Sequence, residues 1–127
     1  MSQFSIPEGK YVDIGNVAGQ PQRVHYHEQG SGDPVIFLHG AGGGASGYSN
    51  FKGNYPEFAQ AGFRSIVPDL LGYGLSSKTE EPKQYDMDFF IAGVKGLVDK
   101  LGLKNITLLG NSLGGAVALG YALKYPE

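Results

Sequence analysis

The 127-residue chain has no cysteine, which excludes a disulfide framework and any thiolate metal site while leaving the compartment open. Charge is scarce as well. Charged residues are 17% of the chain and the formal net charge is −2, so no broad basic face exists to hold nucleic acid or an anionic membrane. No apolar run approaches the roughly 18 to 20 residues that a membrane-spanning helix needs. The opening MSQFSIPEGK lacks a charged segment followed by an apolar one, so it does not read as a secretory signal. A soluble, cytoplasmic protein is the expectation. No Gly-Lys-Ser/Thr follows any glycine loop, which excludes a Walker phosphate site. Internal repeats, low-complexity tracts and composition breaks are absent too, so residues 1–127 read as a single domain.

Glycine is abundant, with 21 residues where ordinary usage is about 7%. Much of it falls in HGAGGG, GYSNFKG, LLGYG and GNSLGG, each following or interrupting an apolar segment. Glycine permits positive φ and close backbone approach, so clusters at strand ends predict functional loops rather than flexible linkers.

The hydrophobic pattern supplies a scaffold. KYVDIGNV and QRVHYHEQ alternate polar and apolar residues around a turn of Ala18, Gly19, Gln20 and Pro21, as in an antiparallel pair with one solvated face. His25 and His27 fall on that solvated face in this reading. PVIFLHG, FRSIVPD and NITLLG are short continuous apolar runs, the signature of strands buried on both sides. A helix is expected over Tyr55 to Gly62. DMDFFIAGVKGLVDKLG places Phe89, Phe90, Val94, Leu97, Val98 and Leu101 at helical spacing, and LGGAVALGYALKYP is a second apolar helix ended by Pro126. Tyr121 and Tyr125, at i and i+4, read as packing residues. TEEPKQYD reads as a solvated loop. The fold class is therefore α/β: an antiparallel lead-in pair, then three parallel strands with flanking helices.

Gly110-Asn111-Ser112-Leu113-Gly114 fits G-x-S-x-G between a strand and a helix, the setting of a nucleophile elbow. A serine held in a strained strand-to-helix turn crowds its backbone neighbours, which explains glycine two residues to either side. The helix beneath aims free N–H groups at the same spot, so the Leu113 N–H becomes an oxyanion donor. A second donor comes from LHGAGGGASGYSN, which leaves a neighbouring parallel strand into the same crevice; Ala41 or Gly42 offers it. His39, fixed at a strand end before the glycine turn at Gly40, is expected to hold that loop by hydrogen bonds rather than to act as a base. The bland alternative for Ser112 is a simple helix N-cap.

Gly42, Gly44 and Gly47 also match G-x-G-x-x-G, with Asp69 at the end of the next strand, the outline of a dinucleotide site. Against it, YSNFKGNYP makes a poor helix start, with Gly53 and Pro56 inside it, and Asp69 lies further on than the usual twenty or so residues. No cofactor or metal is expected.

Taken in order, VIFLHGAGGGASGYSNF, IVPDLLGYGLSS and LLGNSLGGAVAL resemble the N-terminal portion of an α/β-hydrolase fold enzyme over nearly the whole chain. Within that superfamily the chain is similar to the meta-cleavage product hydrolases, which break a carbon–carbon bond in vinylogous diketones from aromatic degradation. Gly43 stands where that family usually has proline, and Tyr48 where tryptophan is frequent. The resemblance implies that Ser112 is the nucleophile and that Asn50 and Asn111 bind a small dienol-keto acid. For Asp69 it implies a loop-shaping role. It also implies chain order Ser, then Asp or Glu, then His, yet no histidine follows Ser112. The acid, the base and a lid are thus expected on C-terminal strands absent from this sequence, or on a second chain that completes the fold. A bare edge on the NITLLG strand supports the same expectation, and association of copies is a further way to cover it. A carboxylesterase or lactonase of the same fold is the alternative substrate reading. A non-catalytic ligand-binding module is the alternative of another class.

Overall fold

The computed structural model describes residues 8–42, 44–78 and 85–126; residues 1–7, Gly43, residues 79–84, most of the TEEPKQYD stretch, and Glu127 lie outside them. Chain order is β1 (Lys10–Val17), β2 (Gln20–Gln29), β3 (Asp33–Leu38), α1 (Gly47–Phe51), α2 (Tyr55–Gln60), β4 (Phe63–Pro68), α3 (Met87–Lys100), β5 (Thr107–Gly110) and α4 (Leu113–Lys124). The strands form one sheet in the order β1-β2-β4-β3-β5. β1 and β2, and β2 and β4, pair antiparallel, whereas β3 pairs parallel with both β4 and β5.

The two-residue period of a strand explains the two cores. On β3, Val35 and Phe37 face α1 and α2, joining Phe51, Tyr55 and Val67. Ile36 and Leu38 point the other way, joining Ile66, Leu97 and Val117 under α3 and α4. All four β3 side chains are buried, as a continuous apolar run between helical layers requires. The helix α3 starts where the Asp86 carboxylate accepts the Phe89 N–H at 2.9 Å, an N-cap that satisfies one of the free amides of the first turn.

Four local expectations are corrected. The turn between β1 and β2 is tighter than four residues, because Ala18 (φ 55°) and Gly19 (φ 80°) both take the positive φ of a two-residue hairpin loop and pairing resumes at Gln20. The residues after Gly47 do make a helix, α1. It lasts one turn, opened by a Ser46–Ser49 capping box and ended before Gly53, while Pro56 sits in the first turn of α2, where its missing N–H costs nothing. His25 and His27 are not on a solvated face: both are 5% exposed. Tyr48 and Tyr55, from α1 and α2, cover the His27 ring, with centroids 5.2 and 6.5 Å away. Finally, β5 is only half-buried, since β3 flanks it on one side and no described strand flanks it on the other.

Candidate active site

Parallel pairing of β3 with β5, with Leu38 opposite Gly110, brings the two glycine loops side by side at the C-terminal ends of both strands. The Asn111 N–H extends that ladder by donating to the Leu38 carbonyl at 3.0 Å. The next residue breaks it. Ser112 sits at φ 57° and ψ −114°, a conformation that costs a non-glycine residue about 1–3 kcal/mol. The residues around it enforce that geometry. A Cβ on Gly114 would lie 1.9 Å from the Leu38 carbonyl oxygen, and one on Gly110 would lie 2.2 Å from the Gly114 carbonyl oxygen. Both glycines of the motif are therefore dictated by backbone contact.

Ser112 occupies the N-cap position of α4, yet its side chain makes no capping hydrogen bond and the residue is exposed. The bland N-cap reading is thereby set aside. Leu113 is the first residue of α4, and N–H groups of a first helical turn have no partner within the helix. Gly40 comes close from the other loop: a Cβ there would stand 3.3 Å from the Ser112 Cβ. Ala41 and Gly42 follow it, both exposed, with Gly42 at φ 145°. Of the sequence-predicted residues, Ser112 and Leu113 are consecutive at the elbow, and Ala41 and Gly42 directly follow Gly40, the loop residue that approaches Ser112.

The supporting residues form a network. Asn50, on α1, accepts the Gly40 N–H at 2.9 Å through Oδ1, and the same oxygen accepts the Asn111 Nδ2–H at 3.0 Å. One side chain therefore ties the β3 loop to the elbow. His39 is fully buried; its Nδ1 lies 2.7 Å from the Gly40 carbonyl and its Nε2 accepts the Leu70 N–H at 3.0 Å. A carbonyl only accepts, so Nδ1 carries the proton and the ring is the neutral tautomer. Burial pushes its pKa below the ordinary histidine range, against the opposing effects of the Gly40 carbonyl and the Asp69 charge. Both ring nitrogens are committed to backbone, which leaves neither to take a proton from Ser112.

Asp69 is 3% exposed and saturated by donors: the Gly47 N–H at 2.8 Å, the Leu75 N–H at 3.0 Å and His25 Nδ1 at 2.9 Å. That occupancy, rather than helix propensity, removes the dinucleotide reading. The acidic residue and the α1 N-terminus that would have taken a ribose and a pyrophosphate bind each other. The loop-shaping role implied for Asp69 holds, while its contact with His25 escaped the sequence, because an alternating strand gives no sign of which face another segment covers. Tyr121 and Tyr125 pack ring on ring, 5.1 Å between centroids. Among the described residues no helix is long and apolar enough to cross a membrane.

Ser112 thus stands on a strained strand-to-helix turn beside a glycine loop that leaves the adjacent parallel strand. The chain belongs to the alpha/beta hydrolase fold family, whose model matches residues 33–127. It is 42% identical, over 93% of its length, to a 2-hydroxy-6-oxo-6-phenylhexa-2,4-dienoate hydrolase of Burkholderia cepacia, and spans 41% of that relative. Its fold superposes with a TM-score of 0.83 on a meta-cleavage product hydrolase from Pseudomonas fluorescens, at 31% identity, covering 96% of this chain and 42% of the other. An epoxide hydrolase from Vigna radiata shares the fold too, with a TM-score of 0.80 at 28% identity, covering 94% of this chain and 37% of that one.

Proposed function

We propose that this chain carries the nucleophile and oxyanion-binding half of a hydrolase that cleaves a carbon–carbon bond in a small dienol-keto acid, a meta-cleavage product of aromatic degradation. The observation that carries the reading is the strained, exposed Ser112, uncapped and set beside the Ala41–Gly42 loop. Strain of that size in a serine with no task would be a cost without a return. Likeness to a 2-hydroxy-6-oxo-dienoate hydrolase supports the substrate class. Serine, rather than a carboxylate, at the elbow separates this chemistry from that expected of an aspartate nucleophile.

In this reading Ser112 Oγ loses its proton to a base and adds to the keto carbon of the substrate. The Leu113 N–H and an N–H of Ala41 or Gly42 hold the resulting oxyanion; each such donor contributes about 2.7–4 kcal/mol to the transition state. The enol proton moves to the carbon next to the keto group, giving the vinylogous diketone; when the carbon–carbon bond of the serine adduct then breaks, its electron pair is delocalised through the enone as a dienolate and protonated, and water releases the acyl group from Ser112. Asn111 spends one Nδ2 hydrogen on Asn50, so its second hydrogen remains to bind the enol or carboxylate end of the substrate, with Asn50 fixing its direction. The catalytic acid and histidine base come from outside these 127 residues, and the protein acts in the cytoplasm.

The test is fluorophosphonate labelling of the intact protein, with Ser112→Ala as control, followed by the decay of a dienol-keto acid chromophore. Labelling that disappears in the variant, together with faster turnover of the dienol-keto acid than of a short ester, is the expected result. Equal labelling of both proteins would remove Ser112 from the mechanism, and preference for the ester would remove the carbon–carbon substrate.

A further inference from the structure

We propose that the buried His25–Asp69 pair is a positioning device for the oxyanion loop, acting through Gly47 and α1; this deepens, and rests on, the reading of Ser112 as a nucleophile. The Asp69 carboxylate is the meeting point of three segments: Oδ1 accepts the Gly47 N–H, and Oδ2 accepts both the Leu75 N–H and His25 Nδ1. A carboxylate only accepts, so His25 donates from Nδ1. The His25 ring cannot swing away, because Tyr11 and His27 lie against it with centroids 4.9 and 5.1 Å distant. Ser76 closes the network, its hydroxyl donating to the Asp69 carbonyl at 2.7 Å and accepting the His25 N–H at 2.8 Å. The backbone leaves no slack either. A Cβ on Gly47 would lie 2.5 Å from the Pro68 carbonyl oxygen, and one on Gly74 would lie 2.3 Å from Asp69 Oδ2.

The consequence follows from the length of α1. A helix of five residues has no stability of its own, so its position is set by what holds its two ends. Asp69 holds the Gly47 end. Three residues later Asn50 holds Gly40 and Asn111, which flank the Ala41–Gly42 loop and Ser112. Movement of the carboxylate is therefore passed along one rigid turn to the donors around the reacting oxygen. His25 is the only side chain among these three donors, and it reaches Asp69 from β2, whose His27 also packs against Tyr48 of α1. It supplies the third bond that a buried carboxylate needs to hold one orientation.

Amide hydrogen exchange on the intact protein tests this without any substrate, by comparing wild type with Asp69→Asn and with His25→Phe, which keeps an aromatic ring but removes the donor. Exchange at Gly47, Leu75 and Gly40 is expected to rise together by about tenfold in either variant, while Ile36 and Ile66 in the central ladder stay at wild-type protection. The rate of Ser112 phosphonylation at saturating probe should fall by a similar factor with probe affinity unchanged, a split that general destabilisation would not produce. Gly40 keeping its protection while Gly47 and Leu75 lose theirs would overturn the proposal, as would a parallel rise at Ile36 and Ile66. If Asp69→Asn does not fold, His25→Phe decides alone, since it leaves the carboxylate and both of its backbone donors in place. Wild-type protein that never labels would sink the nucleophile reading and leave the exchange result to be judged separately.

Discussion

Ser112 and His39 are the two residues where local physics makes function measurable. Glycine tolerates φ 57° without the steric penalty that serine bears, so Ser112→Gly should stabilise the protein by about 1 kcal/mol even as it abolishes labelling. A urea midpoint that fails to rise would mean the turn is unstrained. For His39 the sign comes from its depressed pKa. The native state excludes a proton that the unfolded chain accepts, so its contribution is complete above the ordinary value of 6.5 and is lost as pH falls from there toward the folded value. Urea unfolding at pH 7.5 and 5.5 should show the wild type losing more stability across that window than His39→Gln does. Equal losses would show that His39 does not exclude a proton when folded.

Between β3 and α4 the spacing is set by glycine, and neighbouring glycines should respond in opposite directions. Gly114→Ala drives a methyl into the Leu38 carbonyl and should cost about 1–3 kcal/mol while displacing the Ser112 turn. A Cβ on Gly115 would first meet the Gly110 carbonyl oxygen at 3.6 Å, an ordinary contact, so Gly115→Ala should instead gain about 0.5–1 kcal/mol from reduced backbone entropy. Urea midpoints for the two variants moving the same way would refute this account of the contact. Elements that declare themselves locally were legible from sequence: β3 and β4 as unbroken apolar runs, α3 by its period, and the elbow by its flanking glycines. What was hidden depends on partners distant in the chain. The alternation of β2 says that two faces differ, but not that α1, α2 and Asp69 cover the histidine face. Gly53 and Pro56 read as helix breakers, and they are, yet they separate two short helices rather than forbidding one. Of the candidate site, the serine and both glycine loops were visible; the Asn50–Asn111 bridge and the His25–Asp69 link required the sheet order that brings residues 61 and 44 positions apart into contact.

The whole molecule is asymmetric in how its sheet is finished. At one edge β1 is solvated along most of its length, an arrangement its polar residues suit. At the other, β5 is paired among the described strands only with β3, and beside it a groove of about 850 Å³ opens between α3 and α4, its wall mixing Leu108, Leu119 and Tyr125 with Lys95, Asp99 and Lys104. Leu119 and Leu123 on α4 are 63% and 76% exposed. An open strand edge offers unpaired N–H and C=O groups to any other strand, and an apolar flank adds a driving force, so this combination invites association. The chain spans 41% of a relative that it matches over 93% of its own length. The 127 residues expressed alone should therefore self-associate at micromolar concentration in sedimentation velocity. Leu119→Lys with Leu123→Lys should shift the distribution toward monomer by removing the apolar flank while leaving the strand edge in place. A wild-type 127-residue chain that sediments as a stable monomer, with amides of β5 protected from exchange, would refute this account of the edge.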